Sequence, residues 1–404
     1  MSFPARAVVD LRAIAANVES LRAHAPTAQV MAVVKADAYG HGLVPASRAA
    51  LAGGATWLGT AQVDEALALR AAGVTDPRIL TWLYAPGAPL GRAIEVDVDV
   101  AVSSAPALAE VVAAARLVGR TARVHLKVDT GLGRNGLTPR DLADLLPAAL
   151  RAQAEGAVAL VGIWSHLAFA DEPDHATVRG QHAVFADAVH LVEAAGAAIE
   201  VRHLANSAAT LTSPQVHYDL VRPGIAVYGL SPVPQLGGPA DFGLVPAMTL
   251  EAELATVKRV PAGHGVSYTH QYVTPRDTVL GVVPLGYADG IPRHASGTQE
   301  HAGGPVRVGD RTLGVAGRVC MDQVVVDLGP DATEQAGDRV ELFGTGLDGG
   351  PTAQDWAHAA GTISYEIVAR LSRSVPREHV GLEELSTGTT SARASVGTTD
   401  GSAR

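Results

Sequence analysis

The chain has 404 residues, 47% of them hydrophobic, and a formal net charge of −10. That length exceeds one ordinary core and predicts two domains. The acidic balance, without any lysine- or arginine-rich run, argues against a nucleic-acid partner.

The opening stretch "MSFPARAVVDLRAIAANVES" carries Arg6, Asp10 and Arg12 and has no apolar signal-peptide region. No uncharged apolar run is long enough for a membrane span. The one cysteine, Cys320, excludes an intramolecular disulfide and a multi-cysteine zinc site. A cytoplasmic protein without a metal is the simplest expectation, and Cys320 reads as a packed residue rather than a nucleophile.

Short β-branched runs then alternate with Ala/Leu-rich helical stretches. Strands are expected at 29–34, 56–60, 78–83, 96–102, 123–128, 159–165, 200–204 and 225–230. Between the fourth and fifth, residues 104–119 read as a helix, with Ser104 as N-cap and Gly119 past its end. Eight βα units within residues 1–235 fit an α/β fold of the (β/α)8 TIM-type barrel, and a doubly wound sheet ranks second. Beyond 231–247 the strand-like runs are separated by glycine turns, which predicts a mostly-β domain over 236–383 with one helical stretch at 353–360. Residues 384–404 are rich in Ser, Thr and Gly and are expected to be disordered.

In a barrel, catalytic groups collect at the C-terminal ends of strands. Here Lys35 follows the first strand candidate, Lys127 and Asp129 end the fifth, His166 ends the sixth, and His203, Asn206 and Ser207 end the seventh. Arg222, Pro223 and Gly224 stand before the eighth. One polar strand end means little, but five in an apolar barrel predict a site. A lysine desolvated there has a lowered pKa and suits a Schiff base; a simple ion pair with Asp37 or Asp129 is the plainer reading. Gly40 and Gly42 permit close backbone approach by a ligand, and Tyr39 offers a phenol within reach of a phosphate.

"VVKADAYGHG" (33–42) resembles the pyridoxal-phosphate lysine signature of the alanine racemase family. The resemblance continues through "HLKVDTGLGRNG" (125–136), "VGIWSHLAFAD" (161–171), "HLANSAA" (203–209), "DLVRPGIAVYGL" (219–230), "GVSYTH" (265–270), "PLGYADGIPR" (284–293), "GRVCMDQ" (317–323) and "TISYEIVARLSRSVPR" (362–377). It implies an alanine racemase-like barrel followed by a β-domain, with residues 1–8 pairing into the β-domain. It also implies a homodimer with shared active sites that interconverts L- and D-alanine and supplies D-alanine for peptidoglycan.

The resemblance also assigns roles. Lys35 would hold pyridoxal 5'-phosphate and act as one base, and Tyr268, from the other subunit, as the second. Two bases on opposite faces of Cα are the direct route to racemisation. A free tyrosine titrates near ~10, so the family tunes it, here through His203 and Arg293. Arg222 would face the pyridine nitrogen and His166 would pack over the ring. Asn206 would lie beside the cofactor, and Tyr39, Ser207, Tyr365 and the amides of Gly224 and Ile225 would hold its phosphate. Arg134 would bind the substrate carboxylate, supported by Lys127, which is an N6-carboxylysine in many relatives; without that change two cations would repel. Met321 and Asp322 would shape a small pocket, with Tyr287 and Tyr365 at its mouth.

Plainer readings are a surface arginine for Arg222, a β-domain core tyrosine for Tyr268, an N-cap serine for Ser207 and a solvent-facing Lys127 paired with Asp129. The chain departs from the family pattern at Asp37, usually asparagine; Asn135, usually aliphatic; and Thr269, often glycine. Other functions stay open: a broad-specificity or serine racemase on the same scaffold, a decarboxylase of the same fold type, and a non-catalytic pyridoxal-phosphate-binding protein. The last lacks a β-domain, and the decarboxylase has no need of Tyr268.

Overall fold

The computed structural model describes residues 4–381; the stretch expected to be disordered lies outside them. Eight parallel strands form one sheet in the order Val201–His203, Val158–Trp164, Ala122–Lys127, Val98–Val102, Arg78–Thr81, Trp57–Thr60, Gln29–Val33, Leu220–Val221. The ring closes where Asp219 N–H donates to Arg202 O (3.1 Å) and Arg222 N–H to Ala205 O (2.9 Å). Helices wrap the outside. Ser104 caps Ala105–Val118 by accepting from Ala107 N–H, and Gly119 ends that helix at φ 66°.

One strand differs from expectation. Residues 225–228 form a single 3-10 turn, and the eighth strand is only Leu220–Val221, paired with Gln29 and Val30. A short apolar run such as "IAVY" has the same composition whether it is a buried strand or a buried helical turn. Proline at 223 withholds the ladder N–H, so pairing stops before the run begins. The consequence is functional: Arg222 and Gly224 follow the last strand, at the barrel mouth, rather than preceding it.

The barrel interior is filled by Met31, Trp57, Leu80, Ala101, Trp164, Val201 and Leu220. Each large side chain so buried contributes roughly 1.5–3 kcal/mol. Beyond the barrel, a six-stranded sheet runs Arg311–Gly314, Pro305–Val308, Arg339–Phe343, Met248–Glu253, Ala5–Asp10, Arg377–Val380. The first strand of the chain thus lies inside this sheet, antiparallel to Met248–Glu253 and parallel to Arg377–Val380. A three-stranded sheet (Thr256–Val260, Thr278–Val283, Val324–Gly329) and a small hairpin complete the β-domain. The helix Ala353–Ala360 spans the stretch read as helical, and a second, Ser364–Ala369, follows it. Among the described residues no helix is long and apolar enough to cross a membrane.

Candidate active site

Lys35 stands where strand Gln29–Val33 ends, and the chain then does something unusual. Ala36, Asp37, Ala38 and Tyr39 all take left-handed backbone angles, with φ of 54°, 54°, 55° and 53°. Each L-residue held there costs roughly 1–2 kcal/mol, so the turn persists because its surroundings over-determine it. Glu65 accepts from Ala36 N–H (2.6 Å), and Asp37 accepts from Leu43 N–H (2.7 Å), capping helix Leu43–Ala52. The acid that replaces the family's asparagine therefore pairs locally. Tyr39 is swung back over the mouth, so that the Lys35 ammonium lies 5.9 Å from the centre of its ring.

A cavity of about 200 Å³ opens here, walled by Lys35, Tyr39, Arg134, Asn206, Arg222 and Tyr365 among others. Ser207, Gly224, His166 and Lys127 also face it. Ten residues named from sequence thus converge on one space. Tyr365 reaches it from the β-domain helix, with its ring 6.3 Å from that of Tyr39. At one end Ser207 Oγ accepts from the amides of Gly224 (2.7 Å) and Ala226 (3.4 Å). A Cβ on Gly224 would strike the Tyr39 hydroxyl, so only glycine leaves this cradle open. Asn206, not Ser207, caps helix Ser207–Thr212, its side chain accepting from Ala209 N–H. The serine hydroxyl is left to face the loop that follows the eighth strand. Ile225, beside it, is fully buried.

Arg222 is 4% exposed, far from a surface arginine. Its guanidinium donates to Ser165 O (2.7 Å) and Leu204 O (3.3 Å), and faces His203 Nδ1 (3.3 Å) and His166 Nδ1 (3.4 Å). It also lies 4.9 Å above the Trp164 ring. Lys127 is buried as well, 4.6 Å over the same ring, and Asp129 is committed to the amides of Gly131 and Gly133. Lys127 is therefore not solvent-facing. Burial, then the charges of Arg134 and Arg222, pushes its amine down to about 8. Burial, then Arg134, also lowers Lys35, while burial and Arg222 hold His166 well below its usual range.

Five named residues of the β-domain do not line this cavity in their own chain. Tyr268 (69% exposed), Tyr287 (40%) and Met321 (53%) gather on the β-domain with Arg293 and Asp322, which are exposed too. Tyr287 N–H donates to Cys320 O (3.0 Å) and Ala288 N–H to Met321 O (2.9 Å). Cys320 Sγ reaches Ser267 Oγ at 3.8 Å, which ties in the Tyr268 loop. Ser267 and Thr269 in that loop have φ of 58° and 61°, so Thr269 occupies a conformation that glycine takes without strain. Tyr268 is not a core tyrosine.

His203 needs correction. It is fully buried inside the barrel, stacked on Trp164 (5.6 Å) beneath Arg222. A side chain without exposed surface cannot touch a tyrosine delivered from outside, so His203 cannot directly tune Tyr268. Its partners are Arg222 above and His125 below. Sequence reasoning also missed Trp164, which floors both Arg222 and Lys127, although "IWSH" places it two residues before His166.

Comparison with known proteins agrees along the whole described chain. Residues 9–232 match the family model "Alanine racemase, N-terminal domain", and residues 247–379 match "Alanine racemase, C-terminal domain". The alanine racemase of Beutenbergia cavernae is 62% identical over 381 residues, covering 94% of this chain and 99% of its own. That of Mycobacterium tuberculosis is 52% identical, covering 90% and 93%. Among solved structures, the alanine racemase from D-cycloserine producing Streptomyces lavendulae has a TM-score of 0.92 at 57% identity, covering 95% of this chain and 99% of that one. Fold, site and relatives together define an isomerase, a racemase acting on amino acids. The chain belongs to the alanine racemase family.

Proposed function

We propose that the protein interconverts L- and D-alanine with pyridoxal 5'-phosphate, using Lys35 and Tyr268 as bases on opposite faces of Cα. The observation that carries this is the convergence of Lys35, Tyr39, Ser207, Gly224, Arg222 and Tyr365 on one cavity. The donor set fits the cofactor: a desolvated amine for its aldehyde, an amide-and-hydroxyl cradle for its phosphate, and a guanidinium for its ring nitrogen. When bound, that cofactor supplies an electron sink that makes the Cα proton of an amino acid removable.

The chain's own groups do the rest. Burial and Arg134 favour the neutral amine of Lys35, which suits it to take a proton at its face. Tyr39, Ser207, Tyr365 and the Gly224 and Ile225 amides hold the phosphate end, and Asn206 lies beside it. Burial lowers the Arg222 guanidinium to about 9, which still leaves it charged at neutral pH, with the carbonyls of Ser165 and Leu204 accepting from it; it therefore donates to the ring nitrogen without protonating it, which restrains side reactions. Arg134 takes the substrate carboxylate. Tyr268, with Tyr287, Met321, Asp322 and Arg293 around it, closes the cavity as part of the partner subunit, since its own chain leaves it exposed. Family membership supports a cytoplasmic role in which D-alanine feeds peptidoglycan building.

The test is incubation with single L-amino acids in deuterated water, following Cα exchange and chirality. Alanine should exchange and racemise far faster than serine, lysine or arginine. Equal rates would point to a broad-specificity racemase, and loss of carboxylate to a decarboxylase.

Lys127 allows a separate prediction. A buried amine pushed to about 8 and facing Arg134 and Arg222 suits carbamylation, which replaces a repelling cation with an anion. Lys127→Glu, which carries that anion permanently, should keep the KM for alanine close to that of the parent. Lys127→Met should raise it about tenfold, the loss of one charge-assisted contact to Arg134. Equal KM values in steady-state assays would remove this role.

A further inference from the structure

Beneath Arg222 the barrel interior holds three polar side chains, His203, His125 and Asp99, each without exposed surface. The rest of that layer is aromatic and aliphatic, and burying such groups is costly unless each is satisfied. They form one line. Arg222 Nη1 meets His203 Nδ1 at 3.3 Å, His203 Nε2 meets His125 Nδ1 at 2.9 Å, and His125 Nε2 meets Asp99 Oδ2 at 3.1 Å. At the barrel base Asp99 also accepts from Arg78 Nη2 (2.5 Å) and Arg123 Nε (2.6 Å), whose side chains are 28% and 30% exposed.

Two features of the backbone make room for this line. The ladder between Ala122–Lys127 and Val158–Trp164 slips at Val124/His125, so that His125 pairs with Gly162. A Cβ on Gly162 would overlap the His125 imidazole. A bulge and a glycine are thus both needed to seat this one histidine.

The protonation pattern follows from the donors. A guanidinium only donates, so His203 Nδ1 must accept and its proton lies on Nε2. That N–H points at His125 Nδ1, which must accept in turn, so the His125 proton lies on Nε2, facing the Asp99 carboxylate. Every bond then runs in one direction, from Arg222 down to Asp99. Burial pushes both imidazoles below their ordinary range, consistent with neutral rings. At Asp99 burial acts upward, but the His125 bond and the two arginines hold the carboxyl below its usual value.

We propose that Asp99 and His125 are positioning residues: through His203 they form a directed hydrogen-bond relay that fixes the orientation and donor pattern of Arg222. The link to catalysis rests on the proposed role of Arg222 at the ring nitrogen, but the relay itself does not. In Asp99→Asn, an amide N–H turned toward His125 would force its proton onto Nδ1. That would oppose the His203 N–H, move the His203 proton to Nδ1 as well, and set it against Arg222. The defect is passed along the line.

The experiment is nitrogen NMR of the 15N-histidine holoenzyme, with signals assigned by their loss in His125→Gln and His203→Gln. Both rings should be neutral Nε2–H tautomers throughout the neutral pH range. An imidazolium or an Nδ1–H tautomer at either ring in the parent protein would overturn the proposal, and this measurement needs no stable variant at Asp99. Asp99→Asn should raise the Nδ1–H population at His203 and lower kcat about tenfold with little change in KM. A folded Asp99→Asn protein with lowered stability but unchanged His203 tautomer and kcat would reduce the line to a structural role. Absence of alanine racemisation in the parent would instead strike the functional reading and leave the tautomer result standing.

Discussion

Mixing Lys35→Ala chains with Tyr268→Phe chains is expected to restore a racemisation that neither variant shows alone. Each substitution removes one of the two proposed proton-transfer groups, and such groups contribute roughly 10²- to 10⁴-fold each. Either variant by itself should therefore fall below about 1% of the parent rate. Lys35 lines its own cavity, whereas Tyr268 stands 69% exposed on the β-domain. If a two-fold dimer closes each cavity with its partner's tyrosine, a mixed dimer contains one site with both bases intact and one with neither. Random reassociation makes about half the dimers mixed, so roughly a quarter of the parent activity should return. A mixture as inactive as its components after subunit exchange would place Tyr268 in its own chain's site. On the proposed mechanism the Tyr268→Phe enzyme should also exchange the Cα proton of one enantiomer only, with Lys35 left to serve its face.

The second large effect is expected at Gly40. Its φ is +82°, and a Cβ there would collide with the carbonyl oxygen of Val368, in the helix that carries Tyr365. Gly40 also ends the left-handed turn, its N–H donating to Ala36 O (3.0 Å) and its carbonyl accepting from Arg377 (3.0 Å). Gly40→Val adds left-handed strain of about 1–2 kcal/mol to displacement of a backbone contact. The total should be about 3–5 kcal/mol, with a matching fall in kcat as Lys35 and Tyr39 shift. Gly73, at φ +81° with open space around its Cβ position, supplies the control. Gly73→Val should cost only the strain. Equal costs at the two positions in denaturant titrations would mean that the Val368 contact carries no weight.

The barrel was legible because burial on both faces writes itself into β-branched runs of a fixed length between helices. It was misread only at 225–230, where a short apolar run carries no period to tell a strand from a turn. The glycine-punctuated β-domain was legible for a related reason, since hairpins need turn residues at close spacing. The left-handed run at Ala36–Tyr39 was not. Three of its residues prefer right-handed angles, and the turn is imposed by Glu65, by the Leu43 amide and by the β-domain packed on Gly40.

By itself the sequence determined the fold class, the cavity lysine and the types of group around it, because strand ends and local motifs are short-range features. The tertiary structure decided which of those groups meet. It buried Arg222 and Lys127, which read as open to solvent on plainer grounds, and it turned Ser207 toward Gly224 and gave the helix cap to Asn206. It placed His203 under Arg222 rather than behind Tyr268, and it joined His203 to His125 and Asp99 on two other strands. Neighbours of that kind lie 26 and 78 residues apart along the chain. Only barrel closure, with its strand register, bulge and glycine, brings their side chains to hydrogen-bond distance.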